Sequence, residues 1–171
     1  MDLMPDLLDC EEYVNADTIA AGLSPFKPET TAFQAGRLML QRIRYLANQG
    51  KDFAFETTMA SRMFSPFLEQ CKKNGYSIHL LFLWLHSPEL ALKRVASRVQ
   101  DGGHDVPEDL IRRRYKSGLE NFFELYIPIA DTWFLYDNSS RNPVLIAQKT
   151  MDQSFKIMDE HLWDIIQEVL Q

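Results

Sequence analysis

Along the chain the hydrophobic positions change period repeatedly, and each change marks an element. Between Glu29 and Gln49, Ala32, Ala35, Met39, Ile43 and Leu46 recur every three to four residues, which predicts one buried helical face with Gly50 as its stop. KDFAFET (51–57) reads as a strand and SRMFSPFLEQCKKNG (61–75) as a helix closed by Gly75. YSIHLLFLWL (76–85) is a strand so continuously apolar that both its faces are expected to be covered. Ser87 is placed to cap a helix with Pro88 and Glu89 in its first turn, running to Gly102-Gly103. A longer helix is predicted over about 107–130, with Ile111, Tyr115, Gly118, Phe122, Leu125 and Ile129 as its apolar stripe and Asp105 and Glu108 as a capping box. DTWFLYDNS and PVLIAQ supply two more strands, and an amphipathic helix is predicted from about Asp152 to Leu170. Near the start, EYVN (12–15) is a short extended piece, Thr18 to Leu23 reads as helix, and SPFKPE, with prolines 25 and 28, is a loop.

Strands alternating with helices predict an α/β domain with a mainly parallel sheet flanked by helices. No repeat, low-complexity tract or linker interrupts it, so residues 1–171 are expected to form a single domain. Ligands of such sheets gather at the carboxyl ends of the strands, which is where Asp17, Glu56 and Asp137 fall, around one expected crevice.

Composition narrows the function classes. With 46% hydrophobic residues the chain can build a real core, and a net charge of −6 argues against coating nucleic acid. The longest apolar run, near Ile78 to Leu85, is far short of the ~20 residues that span a bilayer, and no signal peptide is visible; a cytoplasmic protein without a membrane partner is expected. Cys10 and Cys71 are far apart and outside any CxxC spacing, so neither a zinc site nor a disulfide framework is indicated.

The most chemically loaded stretch is RVQDGGHDVPEDLIRRRY (98–115): a glycine pair, His104, and three consecutive arginines. A guanidinium fork suits phosphate and a glycine pair lets a segment swing, which describes a lid closing on an anion. A solvated helix start describes it too. At ~100° per residue Arg114 borders the apolar stripe, Arg112 lies on its other flank and Arg113 points away, so the three cannot grip one phosphate together. Arg94 and Arg98 lie one turn apart on the preceding helix, where pairing with Glu89 or Asp101 is the alternative to anion binding. Asp17 suits a general base and equally the N-cap of the helix that follows.

NADTIAAGLSPF, AFETTMASR, FLWLHSPELALKRV and GGHDVPEDLIRRRY, in this order and spacing, resemble the zeta-toxin-like family of P-loop kinases, in a branch described as predicted ATPases. The resemblance covers almost the whole chain and implies a three-layer P-loop kinase-like fold with a lid around 98–115. It implies ATP and Mg2+ as cofactors, a small hydroxylated metabolite or nucleotide sugar as substrate (UDP-N-acetylglucosamine in zeta toxins themselves), and an antitoxin protein as a possible partner. Carried over residue by residue, Asp17 would activate the acceptor hydroxyl, and Arg98, Arg113 and Arg114 would neutralise the transferred phosphate. Asn15, Glu56, Thr58 and Arg62 would hold the substrate, the Glu–Thr–Arg order being kept with two extra residues before the arginine. His104 would donate to a phosphate from the lid, and Asp137 and Asn138 would border the nucleotide.

One element of the family pattern is absent. A Walker A loop, GxxxxGK[ST], needs glycines five positions apart, and no pair among glycines 22, 36, 50, 75, 102, 103 and 118 satisfies this. The family pattern places its first strand and phosphate loop before MPDLLDCEEYVNAD, so both are expected to be missing. The chain is then expected to bind ATP poorly and to be inactive as a kinase, or to be a non-catalytic substrate-binding or interaction domain. In the family the first strand lies between the strands ending at Glu56 and at Leu85, so these two are expected either to pair directly or to flank a gap.

Overall fold

A computed structural model describes residues 10–100, 106–152 and 154–170, and the chain divides into two compact units. The first runs to Thr57. The second comprises Thr58–Gln100 and Val106–Gln171.

In the first unit β1 (Tyr13–Val14) pairs in parallel with β2 (Ala54–Phe55), Tyr13 opposite Ala54 and Val14 opposite Phe55. The ladder starts where the Ala54 amide donates to the Glu12 carbonyl at 2.8 Å. Between these strands lie α1 (Ala16–Leu23), a 3-10 turn at Pro28–Thr31 and α2 (Ala32–Asn48). Ala35, Met39, Ile43 and Leu46 are the buried residues of α2, as their spacing predicts, while its opposite flank carries Arg42, paired with Glu12 at 2.6 Å. The helix begins three residues later than its apolar period suggests, because Pro28 starts a tighter 3-10 turn instead. Gly50 follows its end with φ +65°, a conformation that a side chain resists.

The second unit is built on a four-stranded sheet in the order β3 (His79–Trp84), β4 (Thr132–Asp137), β5 (Val144–Lys149), β6 (Phe155–Ile157). β3 and β4 are parallel; β4–β5 and β5–β6 are antiparallel. The parallel part of the fold is thus β1–β2 and β3–β4, and hairpins extend the second sheet. Residues 54–55 and 79–84 belong to different sheets, so the direct pairing named as one outcome above is not present. Helices α3 (Phe64–Lys73), α4 (Pro88–Gln100), α5 (Glu108–Asn121) and α6 (Glu160–Val169) complete the unit.

Two boundaries depart from the periodicity. The long helix does not run uniformly to 130: after Asn121 it passes into a π-helical turn (Phe122–Tyr126) and a 3-10 turn (Ile127–Ile129). The wider turn accommodates an extra residue, so the buried stripe passes from Phe122 to Tyr126 and Ala130 rather than to Leu125 and Ile129. At the carboxyl end, Phe155–Ile157 is a strand and α6 starts only at Glu160, where the Asp159 carboxylate accepts from the Leu162 amide at 3.0 Å. An aromatic row fixes this end: Phe82 stacks on Phe122 at 4.6 Å between centroids, Phe122 meets Trp133 edge-on at 6.1 Å, and Phe155 sits 5.7 Å from Trp133 and 5.6 Å from Trp163.

The β3–β4 register is held at its entrance by Asp131. One carboxylate oxygen accepts from the Ile78 amide at 2.8 Å and the other meets Lys72 Nζ at 3.0 Å. The Ile78 amide first, and Lys72 after it, hold the Asp131 carboxyl below its ordinary range. A lowered native value stabilises the fold above the unfolded aspartate range of ~3.9, and that contribution is lost as pH falls through the native value. Asp131→Asn is therefore expected to cost about 1–3 kcal/mol in urea unfolding at pH 7, with the difference from wild type shrinking as unfolding is repeated at progressively acidic pH.

Candidate functional site

In the first unit, the parallel register brings together two of the sequence-predicted residues. Since Val14 lies opposite Phe55, the next residues, Asn15 and Glu56, emerge abreast at the carboxyl ends of β1 and β2. Asn15 Nδ2 donates to Glu56 Oε2 at 2.7 Å. Asn15 Oδ1 accepts from the Asp17 amide at 2.7 Å and the Thr18 amide at 3.1 Å, so Asn15 is the N-cap of α1. The capping alternative for Asp17 is thereby corrected: Asp17 lies inside the first turn and its carboxylate is not needed as the cap. Asp17 and Glu56 are both exposed to solvent, as residues that meet a ligand must be.

In the second unit, the segment that follows β2 in the chain is pinned at three points to α5 and the π-helical turn that continues it. Asn121 Nδ2 donates to the Met59 carbonyl at 2.8 Å in a buried contact, and the Tyr126 hydroxyl donates to the Ser61 carbonyl at 2.5 Å. Burial pushes the Tyr126 phenol upward, which keeps it the protonated donor this contact needs. Gly118 presents its bare Cα to the same segment: a Cβ there would lie 2.5 Å from the Thr58 carbonyl oxygen. Held this way, Met59 adopts φ +55°, which is uncommon for a residue other than glycine. Thr58 and Arg62, both exposed, flank the pinned residues. Of these anchors only Gly118 had been placed on the apolar stripe. Asn121 lies three residues after it and is buried, so its signal was a polar side chain at a core period.

The arginines separate by partner. Arg112 is clamped between Glu108, one turn back on α5, and Glu89 at the start of α4, at 2.8 Å and 2.7 Å. The hydrogen bond from Arg112 is the main cause holding the Glu89 carboxyl below its usual range. Arg113 and Arg114 are exposed on the first turns of α5 and make no ion pair with any described residue. Arg94 donates to the Asn138 backbone carbonyl rather than pairing with Glu89. Arg98 is exposed in the last turn of α4. His104, with the glycine pair and Asp105, lies outside the described residues.

Asp137 and Asn138 end β4 in a tight turn. Asp137 Oδ1 accepts from the Ser139 amide at 2.8 Å and from the Ser139 hydroxyl, and the Asn138 amide donates to the Trp84 carbonyl at 2.8 Å. The same Ser139 hydroxyl accepts from the His86 amide at 2.9 Å. These contacts bind the loops after β3 and β4 into one rim.

The fold is a mixed α/β one, with strand-end carboxylates in the first unit and, in the second, a strand-end rim and exposed arginines on two helices. The sequence model of the Zeta toxin family matches residues 18–144, more than half of the chain. The chain belongs to this family. The match includes Glu56, Thr58, Arg62 and the arginines of α4 and α5, and Asn15 and Asp17 lie immediately before it. A Haemophilus influenzae protein described as uncharacterized is 28% identical over 102 residues, 60% of this chain and 73% of that protein. The fold is shared with a solved structure from the PezAT chromosomal toxin-antitoxin system of Streptococcus pneumoniae, at TM-score 0.58 and 14% identity, covering 92% of this chain. This chain spans 65% of that structure's length.

Because the Gly118 contact is with backbone, it cannot be relieved by a rotamer change. Gly118→Ala, which in an unobstructed helix gains about 1 kcal/mol, is expected here to lose about 1–3 kcal/mol through overpacking. Urea unfolding reads the sign directly, and a stabilised variant would remove the pin.

Proposed function

We propose that the chain is a zeta-toxin-type phosphotransferase domain that binds a small hydroxylated metabolite or nucleotide sugar and directs phosphoryl transfer from ATP to its hydroxyl. The observation that carries this reading is the Asn15–Glu56 pair at the ends of β1 and β2, with Asp17 in the first turn behind it and excused from capping. In this reading Asp17 accepts the hydroxyl proton as the new oxygen–phosphorus bond forms and the bond to the leaving ADP breaks. Glu56 and Thr58 hold the acceptor, with Arg62 as a further contact. Arg98, Arg113 and Arg114 offset the charge of the phosphoryl group, a role for which the last two have no competing ion pair among the described residues.

The residues suit the phosphate end of a nucleotide better than they suit magnesium. No three His, Cys, Asp or Glu side chains gather to hold a metal among the described residues, and no step is assigned to the ion. Magnesium in kinase sites is carried largely by phosphate oxygens and water. Without GxxxxGK[ST] in these 171 residues, no loop of that kind wraps the phosphates, so ATP is expected to bind only weakly. That observation also favours a second reading, a domain that binds the acceptor without transferring phosphate. Family membership further suggests an antitoxin protein as partner, and no helix among the described residues is long and apolar enough to cross a membrane.

Calorimetry with ATP and magnesium tests the nucleotide side: an affinity in the millimolar range is expected, and micromolar binding would overturn it. Single-turnover transfer to UDP-N-acetylglucosamine at millimolar ATP tests the chemistry. Asp17→Asn is expected to lower any transfer by about 100-fold or more without removing the helix cap, which Asn15 keeps. Equal transfer in the variant would remove Asp17 from the reaction, and acceptor binding with no transfer by wild type would select the second reading.

A further inference from the structure

The side chain of Asn15 has two N–H donors and one oxygen with two lone pairs. Nδ2 donates to Glu56 Oε2 at 2.7 Å and also faces the Tyr13 hydroxyl at 3.4 Å. Oδ1 receives the Asp17 and Thr18 amides at 2.7 and 3.1 Å. The reverse amide orientation is chemically excluded: it would set an oxygen against the Glu56 carboxylate and an NH2 group against two backbone donors. The hydrogen-bonding capacity of Asn15 is therefore taken up by neighbouring groups of the chain, and its side chain is half-buried while Asp17 and Glu56 are exposed.

We infer that Asn15 is a positioning residue rather than a substrate ligand: one side chain fixes both the Glu56 carboxylate and the first turn of α1 that carries Asp17. This assigns Asn15 differently from the substrate-holding role that the family resemblance implies, and it rests on the phosphotransferase reading for what Glu56 and Asp17 then do. The physical logic is a shared ruler. The amide oxygen sets where the helix starts, the amide nitrogen sets where the carboxylate points, and the planarity of the amide group fixes one against the other. Glu56 by itself is an exposed, flexible side chain. Held by a charge-assisted hydrogen bond, it meets a ligand already oriented.

A donor–acceptor swap tests the inference on the whole chain. Asn15→Asp keeps a capping oxygen, since Asn and Asp cap about equally well, but sets two carboxylates against each other. Glu56→Gln in that background restores a donor and an acceptor with reversed polarity. Glu56→Gln is therefore expected to lower or leave unchanged the wild-type melting temperature and to raise that of Asn15→Asp by about 2–4 °C. A change of the same sign in both backgrounds would overturn the inference. Titration of UDP-N-acetylglucosamine supplies a readout that a purely structural role would not produce. Asn15→Asp and Glu56→Gln are each expected to weaken binding about tenfold, with the double variant no weaker than the worse single. Multiplying losses would make Asn15 a ligand in its own right and overturn the inference. Should wild type not bind this sugar nucleotide, the substrate reading above fails, and the thermal cycle alone decides the role of Asn15. Asn15→Ser, which keeps a capping oxygen and adds no charge, serves the binding cycle in the same way if Asn15→Asp does not fold.

Discussion

The second unit depends on the close approach of α5 to the backbone of residues 58–61. A helix can lie on an irregular segment only if that segment's carbonyls find donors and no side chain intervenes, and this helix meets both conditions within three turns. Gly118 removes the side chain, and Asn121 and Tyr126 supply donors to Met59 and Ser61. The π-helical turn at Phe122–Tyr126 belongs to the same arrangement. It shifts the helical phase by one residue, so that Tyr126 reaches the segment while Phe122 stays in the aromatic row. Within the second unit, Thr58 is thus held against the carboxyl-terminal half of the same helix whose amino-terminal turns carry Arg113 and Arg114.

Elements governed by simple periodicity were legible in the sequence. The α2 face of Ala35, Met39, Ile43 and Leu46 and the helix closed before Gly75 follow from burial on one side. The strand at His79–Trp84 follows from its apolar run, although it is an edge strand with Leu83 exposed rather than one covered on both faces. What escaped was non-local. Phe155–Ile157 is a strand because β5 offers it an edge to pair with, a fact no helical or strand period within 152–170 contains. The 51–57 strand shortens to two paired residues for the converse reason: its partner β1 is only two residues long. Left-handed Met59 was equally hidden, since the sequence shows neither the glycine that meets its neighbour Thr58 nor the Asn121 donor that holds its carbonyl.

Site residues divide along the same line. The family resemblance sets Arg113 and Arg114 apart from Arg112, whereas helical angle spreads all three; the structure separates them by partner, with Glu89 and Glu108 both taken by Arg112. The sequence offers Asn15 as ligand and Asp17 as base or cap, but which of two nearby Asx residues caps a helix depends on where the helix starts. The helix starts at Ala16, which gives the cap to Asn15. The sequence leaves Asp137 between nucleotide contact and ordinary turn, and its bonds to Ser139 give it the geometry of a turn.

The aromatic row has a spectroscopic consequence. All three tryptophans, Trp84, Trp133 and Trp163, belong to the second unit, whereas the first unit holds Tyr13 and Tyr45 and no tryptophan. Trp84 and Trp133 are almost entirely removed from solvent, and Trp163 lies against Phe123 and Phe155. Intrinsic emission excited at the red edge of the protein band therefore arises from side chains of the second unit. Backbone dichroism, in contrast, weighs α1 and α2 alongside the other helices. Non-coincident transitions in the two signals would mark units that melt separately, and coincident ones would mark a chain that unfolds as a single cooperative body.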